Sequence, residues 1–167
     1  MEMKLNIILG SLIAVSALLT ACSKTESTHD HGVAGHARHN HQPPHGGTPV
    51  ELGGEEYHVE FVRDAAAGKL QAFVLDGELE KFIRIAVPSF EVVAQVAGRE
   101  ESLVFQPIAS NATGEKVGDT SWFEARAEWL QRATNFAAVL KEISVRNKTY
   151  TNISFNFPQG NDTGATH

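Results

Sequence analysis

The chain has 167 residues, a formal charge of −6, 42% hydrophobic and 20% charged residues, eight histidines and one cysteine. That length corresponds to one domain with extensions. The acidic balance, with no basic stripe interleaved with aromatics, argues against a nucleic-acid partner, and a single cysteine excludes an intrachain disulfide.

The amino terminus reads MEMKLNIILGSLIAVSALLTAC. Lys4 precedes an apolar run, Leu5 to Leu19, interrupted only by Asn6, Gly10, Ser11 and Ser16. An apolar core of about 15 residues behind a basic start, closing on small residues, predicts a secretory signal peptide over residues 1–21. A permanent span needs roughly 20 apolar residues. Glu2 opposes the basic start, so Met3 competes with Met1 as the first residue. Leu19-Thr20-Ala21-Cys22 resembles the lipobox of bacterial lipoproteins, in which the cysteine thiol is diacylated, the chain is cut before it and the new amino terminus is acylated. The resemblance implies lipidation (palmitate or similar chains) at Cys22 and a membrane anchor. Ser23, where an Asp would favour inner-membrane retention, implies the outer membrane, facing the periplasm. Two or more acyl chains hold firmly, each buried methylene contributing about 0.8 kcal/mol. An acylated Cys22 also leaves no thiol for a nucleophile or a metal. The alternative is a plain signal peptide followed by an incidental cysteine.

Residues 22–47 form the next segment, rich in Ser, Thr, His, Gly and Pro and without an aliphatic cluster. Such a composition cannot bury enough apolar area to offset the entropy of ordering, and it predicts a disordered tether. Six of the eight histidines fall in it: His29, His31, His36, His39, His41 and His45. Neutral imidazole is a common ligand for zinc, copper and nickel, and His-rich tracts read as metal-binding. Because no geometry is preset, each binding event must order the chain, so the expected site is labile. Copper, zinc or nickel suit these nitrogen ligands better than magnesium or calcium. The alternative is a hydrophilic spacer. Pro43-Pro44-His45-Gly46-Gly47 stands apart, because stiff prolines and pliant glycines could hold His45 against the first strands, near His58.

Residues 48–160 carry the period of strands. Tyr57, Val59 and Phe61 alternate with His58, Glu60 and Val62. Asp64 to Gly68 is turn-like, Leu70 to Leu75 is a strand, and Asp76-Gly77 is a turn signal. Phe82 to Val87 reads as a further strand stopped by Pro88. Phe90 to Ala97 and Ser102 to Ile108 flank Gly98–Glu101 as a hairpin, and Ser110 to Gly118 is a polar loop. Trp122 to Phe136 reads as a strand over Trp122–Ala127 followed by a helical turn near Glu128–Ala133, with any short helix confined to 128–136. A single helix over the whole segment is the alternative. Ala138 to Val145 and Tyr150 to Phe157 flank Arg146–Thr149 as a closing hairpin. Short strands at this spacing predict a mainly β fold, a small antiparallel sandwich or barrel-like domain. Residues 161–167 read as a flexible tail.

The stretch PPHGGTPVELGGEEYHVEFVRDAAAGKLQAFVLDGELEKFIRI, with the closing NKTYTNISFNFP, resembles small periplasmic His-Gly-Gly β domains associated with metal-efflux systems. The resemblance covers most of Pro43 to Pro158 and carries over His45, Gly46, Gly47 and His58 as pattern positions. It implies a role in metal homeostasis and a metal-efflux or other envelope protein as partner. Glu78 stands where the pattern places a further His.

No enzyme constellation is present in the sequence: no His-Glu-x-x-His, no phosphate-cradling glycine loop and no Gly-x-Ser-x-Gly. The expectation is a non-enzymatic, lipid-anchored metal-binding protein with His29, His31, His36, His39, His41, His45 and His58 as candidate ligands. The alternative is a structural or interaction lipoprotein whose β domain docks another envelope protein.

Overall fold

In β1 (Thr48–Leu52), β2 (Tyr57–Asp64) and β3 (Lys69–Asp76), every second side chain points away from solvent. Val50 and Leu52, Val59 and Phe61, and Leu70, Ala72 and Val74 are all fully buried on one face. The same alternation recurs in β4 (Phe90–Val96), β5 (Arg99–Pro107), β6 (Trp122–Arg126), β7 (Phe136–Val145) and β8 (Lys148–Phe157). The computed structural model describes residues 42–162. Its strands form one antiparallel eight-stranded sheet in the order β1-β2-β3-β6-β5-β4-β7-β8. β4, β5 and β6 are successive neighbours and β7 returns beside β4, which is a Greek-key path. The sheet curls around an apolar core in which Phe61, Phe105 and Phe123 are the largest fully buried side chains. The fold is therefore mainly β and barrel-like.

Closure falls just short of a continuous ladder. At the seam between β1 and β8, the Thr48 hydroxyl donates to the Pro158 carbonyl at 3.1 Å. The Asn161 side chain accepts from the Glu51 N–H at 2.8 Å and donates to the Glu51 carbonyl at 3.0 Å. One amide side chain thus satisfies both backbone groups of an edge residue, which would otherwise offer a template for another strand. Gly160 permits the approach, since a Cβ there would lie 2.3 Å from the Pro49 carbonyl oxygen. Asn161 is therefore fastened to β1 rather than part of a loose tail.

Trp122 to Phe136 resolves as β6 followed by a 3-10 helix, Glu128–Gln131, and not as one long helix. Arg63 holds that helix to β2 by donating to the carbonyls of Leu130 and Ala133 at 2.7 and 2.9 Å. The strand expected at Phe82 to Val87 is a correction: it makes isolated bridges only, Leu75 with Phe82 and Ile85 with Thr120. The segment changes partner midway. Its Ile83 N–H bonds the Val74 carbonyl, whereas its Ile85 N–H bonds that of Thr120. Ile83 and Ile85 still reach the core. The closing hairpin also shifts phase. Phe136, Ala138 and Leu140 face inward, and then Ile143 and Val145 do. Opposite this shift, Asn152 adopts φ 52°, a left-handed conformation that Asn tolerates.

Candidate functional site

His45 and Gly47 are bonded to β2, so the turn that precedes Thr48 is fastened to the sheet. The Gly46 N–H donates to the Pro43 carbonyl at 2.9 Å and closes a turn. The turn then bonds Glu60 of β2. His45 N–H and Gly47 N–H donate to Glu60 Oε1 at 2.9 and 2.8 Å, and His45 Nδ1 lies 2.8 Å from Glu60 Oε2. Only glycine allows this approach at position 47, because a Cβ there would sit 2.6 Å from the Phe61 carbonyl oxygen. Glu60 is 0% exposed. By alternation it belongs to the outward face of β2, and the turn is what seals it from water.

Aromatic rings hold the imidazole from below. His45 stacks on Phe73 with centroids 3.9 Å apart and planes at 21°. Phe82 stands tilted beside it at 5.6 Å. Phe73 in turn stacks on Trp122 at 5.9 Å. Phe73 opposes both Glu60 and Trp122 in the sheet register, so one stretch of β3 organises the platform. The indole Nε1 of Trp122 is buried and makes no hydrogen bond among the described residues. The His45 side chain remains 38% exposed. The result is a ring fixed on one face and one edge, with its Nε2 edge unused by any hydrogen bond among the described residues.

His58 lies two residues along β2 from Glu60, on the same outward face. Its Nδ1 is 3.4 Å from the Asp76 carbonyl oxygen, whereas the His45 Nδ1 faces Glu60. Burial alone would push the Asp76 carboxyl up, but the N–H groups of Lys81 and Glu80 and the Lys81 charge hold it below its ordinary value. Among the described residues, no group of three or more His, Cys, Asp or Glu is placed to hold a metal. Cys22, His29, His31, His36, His39 and His41 lie outside the described residues. Among those described, no helix is long and apolar enough to cross a membrane.

Glu60, Phe73 and Trp122 are the site residues that sequence reasoning missed. Glu60 looked like an ordinary solvent-facing strand acid. The one available signal was its position on the same face of the strand as His58, between the inward-facing Val59 and Phe61. No family model, curated protein or solved structure matches this chain.

Proposed function

We propose that this protein is a non-enzymatic, membrane-anchored lipoprotein of the bacterial envelope that binds late transition metal ions. It would buffer copper, zinc or nickel, or deliver them to a metal-efflux or other envelope partner. The anchor is lipidated Cys22, and the ligands come from the histidine-rich run that ends in His45 and from His58. The observation that supports metal binding most is the Glu60–His45 pair. Metal-binding histidines almost always give their second ring nitrogen to a carboxylate, a carbonyl or water, which fixes the tautomer and turns the other nitrogen outward.

Calorimetric titration of the full chain in detergent with copper(II) and nickel(II) tests this reading. Replacing His29, His31, His36, His39 and His41 with Ala is expected to remove most of the binding capacity and to leave the unfolding midpoint unchanged. Free imidazoles titrate near pH ~6.5, so binding at pH 5.5 should be much weaker than at pH 7.5. Equal uptake by wild type and the five-fold variant reduces the tract to a spacer. For the anchor, Cys22→Ser is expected to abolish fatty-acid labelling and membrane partitioning, and labelling that survives the change overturns the lipoprotein assignment.

A second reading, an interaction module, is supported by a groove of about 600 Å³ across the outward face of β4, β7 and β8. Val93, Ala137 and Val139 form its floor, with Gln95, Lys141 and Asn156 around them. That face would dock an envelope protein while the His tract acts as a spacer.

A further inference from the structure

We infer that the seam between β1 and β8 is a strand-acceptor site for an extended peptide of a partner protein, and that residues 158–161 occupy it in cis. Neither the histidines nor the groove floor enters this assignment, which goes beyond both readings above. β1 and β8 are the two ends of the sheet order, so no ladder joins them. An end strand carries a row of backbone donors and acceptors with which another chain can pair. Here that row is met by a short segment that bonds both edges as a strand would.

On the β8 side the segment uses its backbone. Asn156 N–H donates to the Gly160 carbonyl at 2.9 Å, and Gly160 N–H donates to the Asn156 carbonyl at 2.6 Å. The result is an isolated antiparallel bridge. On the β1 side the segment uses a side chain. The Asn161 carboxamide accepts from Glu51 N–H and donates to the Glu51 carbonyl. A residue of a neighbouring antiparallel strand makes the same pair of bonds. The Pro158 carbonyl accepts from the Thr48 hydroxyl, and at the other end of the seam Lys148 pairs with Glu56.

The fit defines the occupant. Of residues 158–161 only Gly160 is buried, so the segment can leave without emptying the core. Backbone groups two residues apart in a strand point the same way, so Pro49 shares the edge of Glu51 and, lacking an N–H, offers it only an acceptor. The matching partner is an extended peptide with glycine where it passes Pro49 and with an N–H and a carbonyl opposite Glu51. Such a strand bonds Glu51 through its own backbone. It also runs on along β8, which is ten residues long and ladders only with β7. It therefore gains main-chain bonds that the cis segment does not make, which is how strand addition acquires affinity.

The test opens the site and offers it a peptide. Gly160 sits at φ 86°, and a Cβ there would lie 2.3 Å from the Pro49 carbonyl oxygen, so Gly160→Ala expels the segment. The full chain in detergent micelles is titrated with the synthetic peptide Phe-Pro-Gln-Gly-Asn-Asp, the sequence of residues 157–162. The Glu51 and Asn156 amides are followed by NMR. A competitor within the same chain acts at an effective concentration in the millimolar range, so wild type should bind the peptide about 10-fold or more weakly than Gly160→Ala. Replacing the peptide's glycine with N-methylglycine removes the donor to Asn156 and should abolish binding. Asn161→Ala keeps the glycine and serves if Gly160→Ala does not fold. It should move the same two amides, with a smaller gain over wild type. Opened variants that leave both amides unmoved, or that bind the N-methylated peptide equally well, overturn the acceptor site. Wild type binding as tightly as the variants overturns the occupation in cis.

Discussion

Inside the barrel, ring meets ring: Phe61 lies on Phe155 with centroids 5.0 Å apart, and Phe90 on Phe105 at 4.7 Å. Outside it, where loops cover the sheet, the buried group at the centre is a carboxylate. Glu60 gathers the N–H groups of His45 and Gly47. Glu115, 9% exposed, gathers the N–H and hydroxyl of Ser121 and the hydroxyl of Thr113. The two regions bury side chains for different reasons. Apolar burial inside stabilises the whole sheet without direction, whereas each acid outside fixes one loop in one place through bonds that must all be made. A fold that needs a precisely held ring such as His45 obtains it from the second device.

A paired substitution tests that division. Phe61→Ala removes a fully buried ring from the core and should cost about 3–5 kcal/mol, a large share of a stability that is typically about 5–15 kcal/mol. Glu60→Ala removes the acceptor for three donors, but the turn over residues 43–47 can lift into water and recover its hydrogen bonds there. Its cost should be nearer 1–3 kcal/mol. Urea midpoints give both values, and hydrogen exchange gives their location. In Glu60→Ala the Gly47 amide should exchange quickly while the β2 and β3 core amides remain protected, as local opening requires. Uniform loss of protection across the barrel would show that the outer patch and the core are one cooperative unit, and the comparison would fail.

What the residues alone reveal follows the same divide. Val59 and Phe61, or Phe155 and Phe157, announce an inward face because burial inside a sheet repeats every second residue. Trp122 to Gln131 was legible as a strand and then a helical turn. Phe82 to Val87 was not, because its alternation is genuine but its partner changes at mid-segment, and a period carries no information about partners. The phase shift opposite Asn152 was hidden for a similar reason, since it depends on how the sheet bends to close. At the site, the Pro-Pro-His-Gly-Gly run did indicate that His45 could be held against the first strands. It pointed to the neighbourhood of His58, whereas the ring is bonded to Glu60, two residues along the same face of β2. Only the turn's path over Phe73 decides for Glu60, and that path is set by contacts far apart in sequence.

The smallest expected effect concerns the other acid. Burial alone would push the Glu115 carboxyl up, but the Ser121 N–H and hydroxyl and the Thr113 hydroxyl, with Arg84 nearby, hold it below its ordinary value of 4.5. A carboxylate whose pKa is lower in the folded than in the unfolded chain contributes stability above the unfolded value, and that contribution disappears as pH falls through the folded value. Stability should therefore be steady with respect to this group above about pH 5 and should decline below about pH 4.5, where Glu115 is protonated in the unfolded chain before it is in the folded one. Ser121→Ala removes the hydroxyl donor and keeps the N–H donor. It should cost about 1 kcal/mol at pH 7 and raise the Glu115 pKa toward the unfolded value, so that less stability remains to be lost in acid. Urea midpoints for wild type and Ser121→Ala at pH 7 and pH 3.5 provide the check, and the gap between the two proteins should narrow at the lower pH. A gap that stays constant would mean the hydroxyl serves packing rather than the charge, and that Glu115 does not anchor its loop as Glu60 anchors the turn over His45.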